Sequence, residues 1–325
     1  MTTLVTGATG FIGLEVARQL AQAGRRPRLL VRRRARGPLL ANLDADLVHA
    51  DLRSPASLRR AVEGCDEVIH LAGRAVFEPA RKLIDTFVHG TRDLAEAAAD
   101  AGVRKFVFAS SLLVHGPTDE LITAETPPAP VVDYGRVKLF VERRLAALGR
   151  ARGMHVANVR LPHVYGPTDQ LFGRVHRRLL LVPGRGSRPY AHLHVADAAR
   201  VLVRAAELGW QGASAVGDAE PAGWDDVLGF LAEAMPDLRI VRAPETLALA
   251  GTGLLAPVTA IRRRPALQTV DTVRSWNLSL PVDPGALWPE LGIAPQYPTY
   301  REGLAASLDA CVAFRWLHPV RDRSH

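Results

Sequence analysis

Short apolar runs alternate with longer stretches of helical spacing through the first half of the chain. Leu4-Val5 is a short strand-like run that ends in a glycine turn. Phe11 to Ala23 then repeats apolar residues three and four apart, and Gly24 stops it. Arg28 to Val31 and Ala45 to His49 read as the second and third strands. Ser54-Pro55 opens a helix, with Ser54 as N-cap and Pro55 at the first helical position. Val68 to Leu71 is a fourth strand, Arg81 to Ala101 a long helix ending at Gly102, and Lys105 to Ala109 a fifth strand. Tyr134 to Ala151 is a further helix and His155 to Arg160 a sixth strand. Strands and helices alternating at these lengths predict an α/β fold, a parallel sheet covered on both faces.

Past Pro162 the pattern loosens and prolines and glycines become frequent. Ala191 to Val195 is strand-like and leads into a helix from Ala196 to Leu208, which suits the sheet domain. The division expected is therefore a nucleotide-binding sheet domain over 1–165 and 190–217, with a smaller α-rich C-terminal substrate lobe over 166–189 and 218–325. A ligand is expected beyond the carboxyl ends of the strands, where the two meet. No internal repeat or low-complexity tract interrupts the chain.

Composition narrows the function classes. Of 325 residues, 48% are hydrophobic and 23% charged, which excludes a mostly disordered chain. Cys65 and Cys311 are the only cysteines, so a disulfide scaffold and a cysteine metal cluster are excluded, and both read as free thiols in a reducing compartment. The formal net charge is +8. Its arginines are spread along the chain, so no nucleic-acid partner is expected. No stretch reaches the ~18 uninterrupted apolar residues of a membrane span. The nearest, Leu247 to Ile261, is broken by Gly251, Gly253 and Pro257, so no stable membrane insertion is expected. Met1 runs straight into Thr2-Thr3-Leu4 without a basic start, and the expected compartment is the cytoplasm.

The first strand and helix are joined by Thr6-Gly7-Ala8-Thr9-Gly10-Phe11-Ile12-Gly13. Gly7 suits the tight turn, Gly10 lets backbone approach a phosphate, and Gly13 lets the helix pack closely on the strand. The helix N-terminus then offers free amides and a positive dipole to a pyrophosphate. Strand–turn–helix context makes this a dinucleotide site, with Thr9, Phe11 and Ile12 among its contacts. The second strand ends in Val31-Arg32-Arg33-Arg34, about 20 residues past Gly13, where an NAD site carries an acidic residue. A guanidinium there binds a 2′-phosphate, so Arg32 and Arg33 predict NADP, with NAD as the alternative cofactor. Asp51 and Leu52 follow the third strand, with Asp51 placed to bond the adenine. Leu71, Ala72 and Gly73 follow the fourth and are small enough for the cofactor to lie flat.

Ser110-Ser111 end the fifth strand. Tyr134 and Lys138 stand four apart on one helix face. With the glycine turn, Arg160-Leu161-Pro162, Val164-Tyr165-Gly166-Pro167 and His194-Val195-Ala196-Asp197, this order resembles the extended short-chain dehydrogenase/reductase superfamily, of the NAD(P)-dependent epimerase/dehydratase type. The resemblance covers nearly the whole chain. It implies a Rossmann-type doubly wound parallel sheet, with Ser110, Pro162 and Val164 also lying against the cofactor. It further implies that Tyr134 is the general acid/base, Lys138 its tuner and ribose anchor, and Ser111 the residue that holds the substrate oxygen. A phenol near pKa ~10 donates a proton readily but is a poor base, and a neighbouring ammonium lowers that pKa. A serine hydroxyl serves where negative charge develops on oxygen.

Two positions depart from the family's pattern. His115 stands where a tyrosine is usual, and its options are titration near neutral pH or a structural role. Phe87 replaces a frequent asparagine in Phe87-Val88-His89-Gly90-Thr91, removing a polar group near the cofactor. His192 and His194 share a face of a strand-like run. They lack a third ligand of zinc type, so no metal is expected.

Three readings remain open. The first is an NADP-dependent oxidoreductase moving a hydride between nicotinamide and a ketone or secondary alcohol of a hydrophobic or ring-bearing small molecule. It follows from the arginines and from a layout similar to the 3β-hydroxysteroid dehydrogenase and dihydroflavonol reductase branches. That layout includes an apolar stretch from Pro244 to Ile261 followed by Arg262 to Arg264. The second is a nucleotide-sugar epimerase or dehydratase, with Arg174, Arg177, Arg178, Arg185 and Arg188 available for a diphosphate. The third is a non-catalytic NADP-binding protein. The resemblance also allows a homodimer.

Overall fold

The computed structural model describes residues 1–32, 40–73, 83–175, 177–184, 186–252 and 269–313. Arg33, Arg34, Arg185 and Arg262 to Arg264 lie outside the described residues, as does the end of the apolar stretch from Pro244 to Ile261.

Seven parallel strands form the central sheet. They are β1 (Thr3–Thr6), β2 (Arg28–Val31), β3 (Asp46–His49), β4 (Glu67–His70), β5 (Lys105–Ser111), β6 (His155–Leu161) and β11 (Gly212–Ala215). Their order is β11-β6-β5-β4-β1-β2-β3, a Rossmann-type doubly wound sheet. The chain moves outward from β1 to β3, then returns to place β4 on the other side of β1. The crevice at this switch point opens at the carboxyl ends of β1 and β4, where ligands of such sheets bind. The strands read as continuous apolar runs because both faces are covered. One layer holds α1 (Phe11–Gln22) and α6 (Val195–Leu208) against Val5, Leu29, Ile69, Val107 and Val159. The other holds α2 (Pro55–Val62), α3 (Gly90–Asp100) and α4 (Asp133–Arg152) against Leu4, Leu30, Val68 and Phe106.

Most predicted elements are present with ends shifted by one or two residues. Three differ more. The Arg81 to Ala101 helix begins, within the described residues, as a π-helical turn over Ile84–His89 and only then becomes α3. The strand-like run at 191–195 yields β10 (His192–His194), which pairs with β7 (His163–Tyr165) and not with the central sheet. The seventh sheet strand, β11, carries no strand signal in sequence, because Gly212-Ala213-Ser214-Ala215 lacks the β-branched and aromatic residues that mark strands. Ser54 does precede Pro55 at the start of α2, but its side chain makes no capping bond.

A separate apolar cluster surrounds a small parallel pair, β8 (Leu179–Pro183) with β13 (Arg239–Ala243). It includes α5 (Gln170–Val175), α7 (Trp224–Ala234) and α10 (Tyr300–Ala313), through Phe172, Leu228, Leu231 and Leu304. Among the described residues no helix is long and apolar enough to cross a membrane.

Candidate active site

The glycine turn is fixed by close packing. Gly7 has φ +75°, and a Cβ there would lie 2.8 Å from the Leu71 carbonyl carbon. A Cβ on Gly13 would lie 2.2 Å from Gly7 O, so the helix sits directly on the turn. Thr6 Oγ1 accepts from Ala72 N at 3.2 Å and shares a hydrogen bond with His70 Nδ1 at 2.6 Å. His70 Nε2 shares a second hydrogen bond with Thr91 Oγ1 at 2.9 Å. This buried chain ties β1, β4 and α3 together beneath Leu71 and Ala72. Burial, with the Lys138 charge beside it, holds the His70 imidazole neutral, its pKa down at about 3. Phe11 at the start of α1 meets Gly166, whose added Cβ would lie 3.1 Å from the ring. The segment after β6 therefore folds back over the glycine turn. Pro162 and Val164, on that segment, are partly buried.

Arg32 is exposed at the end of β2. Asp51 lies near enough to feel its charge. The Asp51 carboxylate accepts from Arg53 N and Nη2, both at 2.9 Å, and these bonds hold its pKa at about 2. Leu52 is buried against the start of α3, at Gly90.

The second group of residues gathers at the ends of β5 and β6 and the start of α4. Gly135 makes this possible: a Cβ there would lie 1.9 Å from Leu113 O. The start of α4 thus lies against the turn that follows Ser111. Ser111 Oγ accepts from Leu113 N at 3.2 Å, which leaves its O–H as the donor it can offer. Ser110 faces the other way and donates to Glu142 Oε1. Tyr134 and Lys138 share the inner face of α4, with Lys138 Nζ 5.7 Å from the Tyr134 ring centroid.

Lys138 is buried and donates to Ala109 O at 2.7 Å. Its ammonium lies 4.5 Å from the Phe87 ring centroid and 4.4 Å from that of Phe108. Burial brings its pKa down to about 7, against the opposing charge of Glu142. The ring of Phe87 also meets Tyr134 edge-on at 5.8 Å and lies against Gly73. Burial pushes the Tyr134 phenol above its ordinary value. The expected lowering by Lys138 is outweighed: its ammonium lies 5.7 Å from the ring centroid, and the cost of a buried phenolate prevails.

His115 does not titrate near neutrality. It is buried, and Arg160 Nη1 donates to its Nε2 at 3.2 Å, so the ring is neutral. Burial and the guanidinium set its pKa at about 4. Arg160 in turn bonds Glu142 Oε2 at 2.9 Å, both side chains buried. Glu142 lies one turn beyond Lys138, and the spacing of 134, 138 and 142 was the signal that could have revealed it.

An aromatic group continues from this centre. Leu161 pairs with Ser111 across β6 and β5, and His163 follows two residues later. The His163 ring lies 4.4 Å from Trp224, which stacks on Trp276 at 4.0 Å and 15°. The ring centroids of Tyr190 and Trp224 lie 6.1 Å apart, and Tyr190 shares an apolar cluster with Tyr134. His192 Nε2 donates to Ala222 O at 3.1 Å, so its Nδ1 accepts from His163 Nδ1. His194 Nδ1 caps Ala196 N, and Asp197 holds Gln296 N and Tyr297 N. Among the described residues no group of three or more His, Cys, Asp or Glu could hold a metal ion.

A family model described as the NAD dependent epimerase/dehydratase family matches residues 3–215. A ceramide reductase of Caulobacter vibrioides is 30% identical over 270 residues, 81% of this chain and 80% of that protein. Sterol demethylase protein B of Methylococcus capsulatus is 34% identical over 186 residues, 55% of this chain and 56% of that protein. The solved structure of MoeE5 in complex with UDP-glucuronic acid and NAD superimposes with a TM-score of 0.77 at 27% identity. It covers 98% of this chain and 100% of that one.

Proposed function

The chain belongs to the NAD dependent epimerase/dehydratase family and is an NAD(P)-dependent oxidoreductase-type enzyme, and from that premise we propose that it reduces a ketone on an apolar, ring-bearing small molecule with NADPH. The observation that carries this is the gathering of Ser111, Tyr134 and Lys138 at one strand end beside the aromatic group of His163, Trp224 and Trp276. The glycine turn from Gly7 to Gly13, with Thr9 and Gly10 at its mouth, fits a pyrophosphate. Asp51 suits the adenine, and Leu71, Ala72 and Gly73 suit a flat dinucleotide over the switch point. When bound, the nicotinamide supplies the hydride. Ser111 holds the substrate oxygen by its O–H. Tyr134, kept protonated by burial, gives its proton to that oxygen. Lys138 carries the positive charge that steadies Tyr134 as it becomes phenolate.

Arg32 supports the choice of NADPH. The stacked Trp224 and Trp276, as the wall against which a ring would lie, support a ring-bearing substrate, and two relatives are by name a ceramide reductase and a sterol demethylase protein. A small-molecule reductase of this kind works in the cytoplasm, alone or as a homodimer. The test is calorimetric titration of wild type and Arg32→Ala with NADPH and with NADH. Wild type is expected to favour NADPH. Loss of one charged contact should weaken NADPH by about 10- to 100-fold and leave NADH within about twofold. Equal losses contradict the 2′-phosphate assignment.

The likeness to MoeE5 with its bound UDP-glucuronic acid and NAD favours one other reading, a nucleotide-sugar epimerase or dehydratase. A cofactor that stays with the protein through purification, as NAD, would move the assignment there.

A further inference from the structure

Helix α4 begins without a cap from its own segment. Its N-cap residue is Val132, which makes no side-chain capping bond, although the first amides of a helix need acceptors. The acceptor comes from far along the chain. Asp271 Oδ2 takes the Asp133 backbone N–H at 2.9 Å, and the Tyr134 backbone N–H also donates to this carboxylate. Tyr134 is the second residue of α4, so Asp271 holds the backbone from which the phenol extends. A carboxylate there also meets the positive end of the helix dipole.

Asp271 lies in the first turn of α8 (Val270–Trp276), and Trp276 ends it. This short helix is secured at both ends. Thr269 Oγ1 accepts from Thr272 N at 3.2 Å, and Thr272 Oγ1 accepts from Thr269 N at 3.4 Å. Beyond Trp276, Asn277 Nδ2 donates to Val273 O at 3.0 Å. Val273 is fully buried. One end of α8 thus grips the start of α4, and the other presents Trp276 to Trp224.

Resting on the reading of Tyr134 as proton donor and of Trp224 and Trp276 as the substrate's wall, we propose that Asp271 is a positioning residue. Through α8 it sets the distance between the Tyr134 phenol and a ring lodged at the tryptophans. A displacement of ~1 Å at a reacting centre can cost about 100-fold in rate, so a shared rigid element of this kind governs turnover more than cofactor affinity.

The test compares Asp271→Ala, Asp271→Asn and Tyr134→Phe in the full chain, by steady-state kinetics with NADPH and an apolar ring ketone, NADPH calorimetry and thermal unfolding. Asp271→Ala is expected to lower kcat roughly 10- to 100-fold with NADPH affinity kept within about twofold. Asp271→Asn retains one accepting oxygen and is expected to recover part of kcat. A drop in unfolding temperature with kcat per folded protein unchanged in both Asp271 variants overturns the proposal. If Asp271→Ala does not fold, Asp271→Asn decides alone: kcat below wild type at equal NADPH affinity supports positioning, and wild-type kcat refutes it. Turnover surviving in Tyr134→Phe refutes the reading of Tyr134 itself. Turnover lost there but untouched in the Asp271 variants refutes only the positioning role.

Discussion

The Lys138 ammonium lies 4.5 Å from the centroid of the Phe87 ring, where the family pattern resembled by this chain has an asparagine. The ring excludes water that an amide would admit. Burial is the main cause that brings Lys138 down to about 7. Reduction that needs the ammonium should therefore decline as pH rises through about 7. Phe87→Asn admits a polar group, raises the Lys138 pKa and should move that limb to higher pH. The check is the pH profile of kcat for both proteins. An unmoved limb means that another group titrates.

Gly135 and Leu113 give a second prediction. A methyl group at Gly135 has no room beside Leu113 O, so Gly135→Ala must push α4 away from the turn after Ser111. Overpacking of this kind costs about 1–3 kcal/mol. The unfolding midpoint in urea should fall. Turnover should fall further than stability accounts for, because Ser111 and Tyr134 separate. A variant with wild-type kcat at temperatures where it stays folded would contradict the geometry.

The buried pair of Glu142 and Arg160 gives a third. Glu142→Ala leaves a guanidinium without its carboxylate and Ser110 without its acceptor. Removing one partner of such a pair costs about 3–5 kcal/mol. Replacing both, as Glu142→Leu with Arg160→Met, should restore most of the loss, since desolvating the charges opposes their attraction. Urea unfolding of the single and double variants measures this. A double variant no more stable than the single one would show that the pair was not the source.

Much of the site was legible because its chemistry is local in sequence. The glycine turn spans eight residues, and Tyr134 and Lys138 are one helical turn apart. The sheet followed from the alternation of apolar runs. What stayed hidden depends on residues distant in the chain. Asp271 caps a helix 138 residues earlier, and no spacing rule links the two. Trp224, Trp276 and His163 meet only because β7 and the start of α7 pack with the end of α8. The raised Tyr134 phenol has a related cause: sequence gives its spacing from Lys138 but not the burial that outweighs that charge. The structural role of His115 depends on Arg160, 45 residues on, which donates to it.

The central claim is that the Tyr134 phenol supplies the proton in an NADPH-dependent reduction. The most direct measurement follows NADPH oxidation and alcohol formation together for wild type and Tyr134→Phe, across a panel of apolar ring ketones. NADPH affinity is measured alongside. Wild type is expected to form one alcohol per NADPH consumed. Tyr134→Phe should bind NADPH with affinity within about twofold and turn over roughly 100- to 10,000-fold more slowly, the range for loss of a general acid. Turnover by Tyr134→Phe at the wild-type rate would contradict the account.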